Sequence, residues 1–534
     1  MDRGIGSWVA KQAFRRGDKV ALVDDTAASD SFTYTQFDDR TSQLGRALIA
    51  LGVRRGDRVA MLLFNSISFM EAIFACAKLG AIAVPVNVRL TSHEIAYILA
   101  DCGADVLVYH QALGATARAA LEQQGVRVRH RVVDTQGHQA PAGGSGAGAD
   151  RDGLDAGELD YDELRDSATC EPLGMDVDDR DIHAIMYTSG TTGRPKGAML
   201  THANAIANAR NALLLGRGLR SDDVTVTVAP MFHIGGLGVH SLPLVYVGGK
   251  NVIQSGFDPV RLLQAMSGYR ATVQFLVPAM WAALTRVADF DAYDLSSLEL
   301  AVSGGAPAPL PVIRFFRSHG VPFQEGFGMT ETAPSVSVLD SDHVESKAGS
   351  IGRPLPDVEA RIVDEHGRDV PTSSVGELVL RGDNIFAGYW MMPGATAEAF
   401  EGGWFHTGDL ARCDEEGFIT LVDRLKDMII TGGENVYPIE VEQVIYLHPA
   451  VLEVAVYGIP DDTWGETVVA AVVVKEGSTL DSEELINHCR ERLAHFKCPT
   501  VVEMVQELPR NATGKVLKSL LRERHAGTTT SVHR

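Results

Sequence analysis

Residues 59–88 read VAMLLFNSISFMEAIFACAKLGAIAVPVNV, and this stretch sets the fold class. It is the longest apolar stretch in the chain, yet Asn65, Ser66, Ser68, Glu71 and Lys78 interrupt it. A membrane span needs roughly 20 uninterrupted apolar residues, so the stretch divides instead. Val59–Phe64 predicts a buried strand, Phe69–Leu79 carries helical spacing, and Ala83–Val86 predicts the next strand. Strand, helix, strand in so short a span is the building unit of a parallel sheet covered by helices.

Working outward, the apolar runs Val106–Tyr109, Val224–Val228, Val273–Val277 and Leu298–Val302 continue the alternation. The chain has 534 residues, too many for one ordinary core, so a large domain and a smaller one are expected. The texture changes near Asp423. Residues 421–430 (LVDRLKDMII) mix charged and apolar positions, and Gly432-Gly433 follows. Beyond it the pattern predicts a helix from about Pro438, strands at Val451–Tyr457 and Val468–Val474, and a helix from about Asp481. The expected organisation is α/β. A large N-terminal domain of parallel-sheet layers spans 1–422, and a small mobile α+β domain spans 423–534. Residues 136–157, rich in Gly, Ala and Asp without periodicity, read as a flexible surface insertion.

Lys and Arg number 48 against 69 Asp and Glu, a net charge of −21. Such a surface repels nucleic-acid phosphates and excludes DNA or RNA as a main partner. It also disfavours docking on anionic lipid, although a local basic patch leaves peripheral membrane contact open. A homo-oligomer is left open as well. The six cysteines lack a CxxC pair, so neither a zinc site nor a disulfide framework is expected. The N-terminus carries no basic-then-apolar leader, and a reducing cytoplasm is the expected location.

Chemistry concentrates first at Tyr187–Met199, YTSGTTGRPKGAM. Three hydroxyls (Ser189, Thr191, Thr192) alternate with Gly190 and Gly193, Thr188 precedes them, and Lys196 follows. Glycines let a backbone fold tightly and turn its N–H groups toward an anion, and the lysine adds a cation. The pattern before and after predicts strand, loop, helix, with the helix from about Gly197. It is not a Walker A loop, which needs Gly-Lys-Ser/Thr. Here Lys196 precedes Gly197, and Ala198 stands where the hydroxyl would be. Taken alone, the loop says nucleotide phosphate, with a plain polar turn as the alternative.

The loop resembles the phosphate motif of the adenylate-forming superfamily; the run 423–438 (DRLKDMIITGGENVYP) and the acid-site motif MFHIGG most resemble the bacterial fatty-acyl-CoA synthetase type. The resemblance runs from about Phe32 to about Arg524, with several motifs in the family's order. In 324–332 (QEGFGMTET), it implies Phe327 against adenine, with Gly328 and Met329 beside it. Thr330 falls at the α-phosphate and Glu331 at Mg²⁺. The family usually has Tyr where Phe327 stands, so the stacking face is kept and a hydroxyl is lost. In 303–307 (SGGAP), Gly304, Gly305 and Ala306 match the adenine-side loop; turn formation alone would also explain them. In 404–409 (WFHTGD), Asp409 matches the ribose carboxylate, and Arg424 is its companion. A surface salt bridge is the alternative for that pair.

The resemblance implies that His233, in MFHIGG, lies beside the carboxylate being activated; taken alone, a structural His is the alternative. Amino-acid-activating members carry Asp there, so an α-amino acid is not expected. In 509–518 (PRNATGKVLK), Lys515 matches the catalytic lysine, while Lys518 reads as a helix-surface residue. Lys426 matches the hinge, and Gly432 and Gly433 match the loop lining the pantetheine tunnel.

The resemblance implies a ligase using ATP, Mg²⁺ and coenzyme A. A carboxylic acid attacks the α-phosphorus of ATP and expels pyrophosphate. The CoA thiol then attacks the acyl-adenylate and releases AMP. A medium- or long-chain fatty or related apolar acid is the expected substrate. An aryl acid of the benzoate or coumarate kind, or loading of a carrier protein instead of CoA, remains the alternative.

Overall fold

The computed structural model describes residues 2–25, 30–135, 154–188, 195–214, 216–431, 434–461, 464–510 and 516–531. Its chain divides into two compact units. The first holds residues 1–360 and 380–405, and the second holds 361–379 and 406–534. Packing therefore groups 406–422 with the C-terminal residues, ahead of the change of texture at Asp423. The reason is local: Phe405–Cys413 and Ile419–Arg424 form one antiparallel hairpin, and its second strand carries Asp423 and Arg424.

A seven-stranded sheet runs through the first unit. Its order is Glu158–Asp160, His130–Asp134, Val106–His110, Arg58–Leu62, Ile82–Pro85, Ile182–Thr188 and Lys196–Thr201. Every pairing is parallel except the last. The opening stretch of sequence supplies its centre: strand 58–62, helix Ile67–Leu79 and strand 82–85, as its spacing requires. Ser66 starts that helix by accepting the Phe69 N–H. Gly80 stops it in the left-handed region at φ +78°.

Every residue of the helix is buried. Its two charges are paired rather than solvated. Glu71 meets Arg40 and the Tyr161 hydroxyl, and the Lys78 ammonium donates to Asp38 at 2.6 Å and Ser42 at 2.8 Å. The polar residues that rule out a membrane span thus cross-link the core instead.

A five-stranded sheet follows the order Val273–Leu276, Leu300–Gly304, Phe323–Gly328, Ser335–Leu339 and Arg353–Pro354. The first three strands are parallel. A four-stranded sheet of Val224–Thr227, Lys250–Ile253, Val20–Asp24 and Ser31–Thr33 completes the layers.

In the second unit, Val451–Asp461 and Gly465–Val474 make a long antiparallel hairpin, with Val501–Met504 parallel beside it. Val454, Val456, Val468, Ala470 and Val472 pack under the helices Pro438–Tyr446 and Ser482–Arg490. The predicted helix and strand starts at 438, 451 and 481 hold to within one residue. Lys518 departs from expectation: it opens the helix Lys518–Ser531 and pairs with Glu442 at 2.8 Å, its side chain only 17% exposed. The insertion over 136–153 lies outside the described residues. Among the described residues, no helix is long and apolar enough to cross a membrane.

Candidate active site

The phosphate loop corrects one expectation. Lys196–Thr201 is a strand, and it pairs antiparallel with 182–188, placing Tyr187 opposite Gly197 and Thr188 opposite Lys196. The loop joins two strands, and the helix begins only at His202. Two features decide this. Gly197 lies so close to Ile185 that a Cβ there would sit 2.7 Å from its side chain, a packing that only a flat, paired backbone gives. Thr201 then caps the helix in a reciprocal box with Asn204. The helix N-terminus is thus a whole strand away from the loop. Ser189, Gly190, Thr191, Thr192 and Gly193 lie outside the described residues.

Both arms of that hairpin are held, at the loop end, by the helix Ser92–Cys102. Tyr97 donates its hydroxyl to the carbonyl of Pro195 at 3.2 Å, and Tyr187 donates to Asp101 at 2.5 Å. The indole N–H of Trp390 reaches the Asp101 carbonyl at 3.2 Å. Residues 387–390 lie along the strand: Met199 N–H bonds to the Gly388 carbonyl, and Trp390 N–H to the Gly197 carbonyl.

Tyr389 was not legible as a site residue, because no local pattern marks it. Its ring face carries the Lys196 ammonium at 5.0 Å, and its hydroxyl donates to Glu331 Oε1 at 3.1 Å. Lys196 and Glu331, 135 positions apart, therefore share one side chain. Glu331 is buried and sits in the one-turn helix Thr330–Thr332. Phe386 N–H ties down its carbonyl at 2.9 Å.

The segments 303–307 and 324–332 leave adjacent parallel strands at the same edge. Gly304 stands opposite Gly326 in register, so Gly304–Ala306 and Phe327–Thr330 emerge together at the carboxyl ends. That edge is where open α/β sheets bind ligands. Gly305 and Ala306 are exposed, while Phe327, Gly328, Met329 and Thr330 are half-buried. Gly328 admits no other residue, because a Cβ would lie 1.7 Å from the Pro334 carbonyl oxygen. The acid-side motif closes on the same edge. Phe275 is wedged between Gly235 and Gly304, 3.3 Å and 3.1 Å from where their Cβ atoms would be. Gly238 stands against Pro334.

His233 precedes a π-type turn at Leu237–Ser241, a geometry frequent at functional sites. Burial lowers its pKa to about 4, helped by the charge of Arg89. The imidazole is therefore neutral at neutral pH. Its Nε2 is buried without a hydrogen-bond partner among the described residues.

In the second unit, Asp409 and Arg424 are direct register partners of one hairpin. Arg424 Nε donates to Asp409 Oδ1 at 2.7 Å, and the carboxylate is buried. The guanidinium also reaches the Thr407 carbonyl at 3.3 Å. The two residues are therefore ion-paired and side by side, with the carboxylate buried rather than at the surface. Lys426 stands in the turn Leu425–Asp427. Lys515, Gly432 and Gly433 lie outside the described residues. An antiparallel bridge between Arg510 and Val516 flanks the segment that holds Lys515.

Among the described residues, no three His, Cys, Asp or Glu side chains cluster as a self-sufficient metal cage. A lone buried carboxylate, Glu331, fits Mg²⁺, which keeps several waters and takes substrate phosphates as ligands.

The sequence matches the AMP-binding enzyme family over residues 9–390, and that family's C-terminal domain over 440–515. It is 40% identical to a feruloyl-CoA synthase of Amycolatopsis over 523 residues, covering 98% of this chain and 99% of the relative. It is 34% identical to the long-chain-fatty-acid–CoA ligase FadD13 of Mycobacterium tuberculosis, with 98% and 99% covered. The structure of ATP-bound MatB from Rhodopseudomonas palustris superposes with a TM-score of 0.83 at 32% identity, over 97% of this chain and 99% of that one. The chain belongs to the AMP-binding enzyme family. Within it, the chain is an AMP-forming acid–thiol ligase that joins a small carboxylic acid to CoA using ATP and Mg²⁺.

Proposed function

We propose that the acid is an aryl one, of the 3-phenylpropenoic kind, with a medium- or long-chain fatty acid as the second reading. The observation that carries this is the identity: 40% with the feruloyl-CoA synthase against 34% with the fatty-acid ligase, at equal coverage. The ring edge of Phe275, set between Gly235 and Gly304, adds an aromatic wall at that edge, which supports an aryl substrate. The fatty reading rests on the same motifs and on the apolar neighbours of His233.

The proposed roles follow from the motifs and the local chemistry. Backbone N–H groups of Ser189–Gly193, Thr188 and Lys196 take the phosphates. Glu331 holds Mg²⁺, which when bound offsets phosphate charge as pyrophosphate leaves. Phe327 stacks on adenine beside Gly304–Ala306, and Thr330 reaches the α-phosphate. Asp409 and Arg424 take the ribose. His233, held neutral, packs beside the acid, so Lys515 must supply the charge between two approaching anions. The moving domain begins at Asp423 and turns about Lys426, and Gly432 and Gly433 admit pantetheine. CoA, not a carrier protein, is the acceptor.

The test is a panel of ferulate, benzoate, octanoate and palmitate, followed by pyrophosphate release with and without CoA. We expect kcat/KM for ferulate to exceed that for either fatty acid by about 10-fold or more, the scale on which an apolar pocket discriminates. A preference for octanoate or palmitate overturns the aryl reading. Lys515→Ala should lose adenylate formation and keep thioester formation from supplied acyl-adenylate; equal loss of both removes its assignment.

A further inference from the structure

Tyr389 touches two groups that the proposed function assigns to different tasks. Its phenol donates to Glu331 Oε1 at 3.1 Å, and its ring face lies 5.0 Å from the Lys196 ammonium. A Lys on a ring face is attracted by the ring's negative centre, and a phenol bonded to a carboxylate fixes the direction in which that carboxylate points. The two interactions use different parts of one side chain, so they can be removed separately.

The backbone around Tyr389 is fixed from several sides. Its N–H donates to Thr396 Oγ1 at 2.9 Å, and it forms an antiparallel bridge with Ala198. Gly388 before it has φ +127°, a conformation that L side chains rarely adopt. Trp390 after it bonds to the Gly197 carbonyl at 2.8 Å. On the other side, Asn384 donates to the carbonyls of Thr332 and Ser335, at 3.1 and 2.8 Å, and Phe386 N–H to that of Glu331. Residues 384–390 therefore bind the strand of Lys196 along one side and the turn of Glu331 along the other.

We propose that Tyr389 is the positioning residue of the phosphate side: its hydroxyl aims the Glu331 carboxylate for Mg²⁺, and its ring seats Lys196 for the polyphosphate. The inference rests on the reading that Glu331 serves the metal and Lys196 the phosphates. Tyr389 itself touches no reacting atom.

The experiment measures ATP binding to the full chain by isothermal titration calorimetry, without acid or CoA, over a series of Mg²⁺ concentrations and in EDTA. Tyr389→Phe keeps the ring and loses the hydroxyl. It should raise the Mg²⁺ concentration for half-maximal effect about 10–100-fold, the worth of one hydrogen bond to a charged group, and leave ATP affinity in EDTA within about 2-fold. Tyr389→Leu loses both, so it should also weaken ATP in EDTA by about 5-fold, on the scale of a cation–π contact. Glu331→Gln should raise the Mg²⁺ requirement by itself, and adding Tyr389→Phe to it should add nothing further, since the hydroxyl acts through that carboxylate.

If Glu331→Gln shifts the Mg²⁺ requirement and Tyr389→Phe does not, the proposal for Tyr389 falls while the metal reading stands. If Glu331→Gln shifts nothing, the metal reading falls and takes this inference with it. Should Tyr389→Leu not fold, Tyr389→Phe and its combination with Glu331→Gln decide the matter.

Discussion

The phosphate side of the first unit and the Asp409–Arg424 pair of the second are built in opposite ways. Asp409 and Arg424 face each other across one hairpin, and the ladder register alone sets them 2.7 Å apart. Lys196 and Glu331 owe their places to side chains scattered over the first unit. Tyr97, Asp101, Tyr187 and Tyr389 all take part, and the Trp390–Asp101 bond spans 289 positions. A local pair concentrates its function in two residues. A distributed one spreads both its cost and its tolerance over many. The chemistry differs too: ribose is present in ATP and in the acyl-adenylate, whereas the β- and γ-phosphates are present only in ATP.

The largest effect should therefore come from Asp409→Ala. It removes a carboxylate proposed to take two ribose hydroxyls, and it strips Arg424 of its buried partner. We expect a fall of about 100-fold or more in both half-reactions, since hydrogen bonds to a charged group are worth about 1.5–3 kcal/mol each. Pyrophosphate release measures the first half-reaction, and thioester formation from supplied acyl-adenylate the second. A loss confined to the first would break the comparison.

Lys196→Gln should come next and touch only one step. The ammonium is proposed to meet phosphates that have left before CoA attacks. Adenylate formation should fall about 10–50-fold, the scale of one charge-assisted contact, with thioester formation from the adenylate unchanged. Loss in the second half-reaction would mean that Lys196 serves the nucleoside instead.

Asp101→Ala tests the distributed construction. Asp101 reaches no phosphate itself; its carboxylate holds Tyr187 at the loop's start. Because Tyr97 and residues 387–390 still hold the hairpin, the expected rise in KM for ATP is only about 3–10-fold, below the full worth of one hydrogen bond to a charged group. Tyr187→Phe should match it, and the double variant should cost no more than either single one. An effect as large as that of Asp409→Ala would show that the phosphate side hangs on one bond.

The same contrast governs what was legible in the sequence. The buried helix at 67–79 and the parallel strands follow from local spacing, whereas Glu331, Asp409 and Arg424 are singled out only by short motifs that resemble a known family. Tyr389 and Asp101 did not, because their roles arise from partners tens to hundreds of positions away. The hairpin at 187–201 misled for a related reason. HANAIANARNAL has helical composition, and only the packing of Gly197 against Ile185 and the Thr201 cap reveal that the helix starts at 202. Lys518 was read from its own segment, while its partner Glu442 lies in a different helix.

The smallest effect at neutral pH is expected from His202, and acid should uncover it. His202 opens the helix after the phosphate hairpin, accepts the Ile5 N–H on Nδ1 at 3.1 Å, and lies with its ring 5.5 Å from that of His183. Burial lowers its folded pKa to about 4 from the ordinary 6.5, and burial likewise holds His183 well below that value. Above pH 6.5 neither the folded nor the unfolded chain binds a proton here, so stability is flat. Between 6.5 and 4 the unfolded chain takes protons that the folded chain refuses, so stability falls as pH drops. For His202 the loss by pH 4.5 is about 2–3 kcal/mol, at 1.36 kcal/mol per pH unit. His202→Asn keeps an acceptor for Ile5 and cannot titrate. Its thermal midpoint and ATP affinity should match the parent at pH 7.5, and it should lose less stability by pH 4.5, with scanning calorimetry as the readout. A variant that falls as steeply as the parent would place acid sensitivity elsewhere, and the hairpin's anchorage would then owe nothing to a neutral His202.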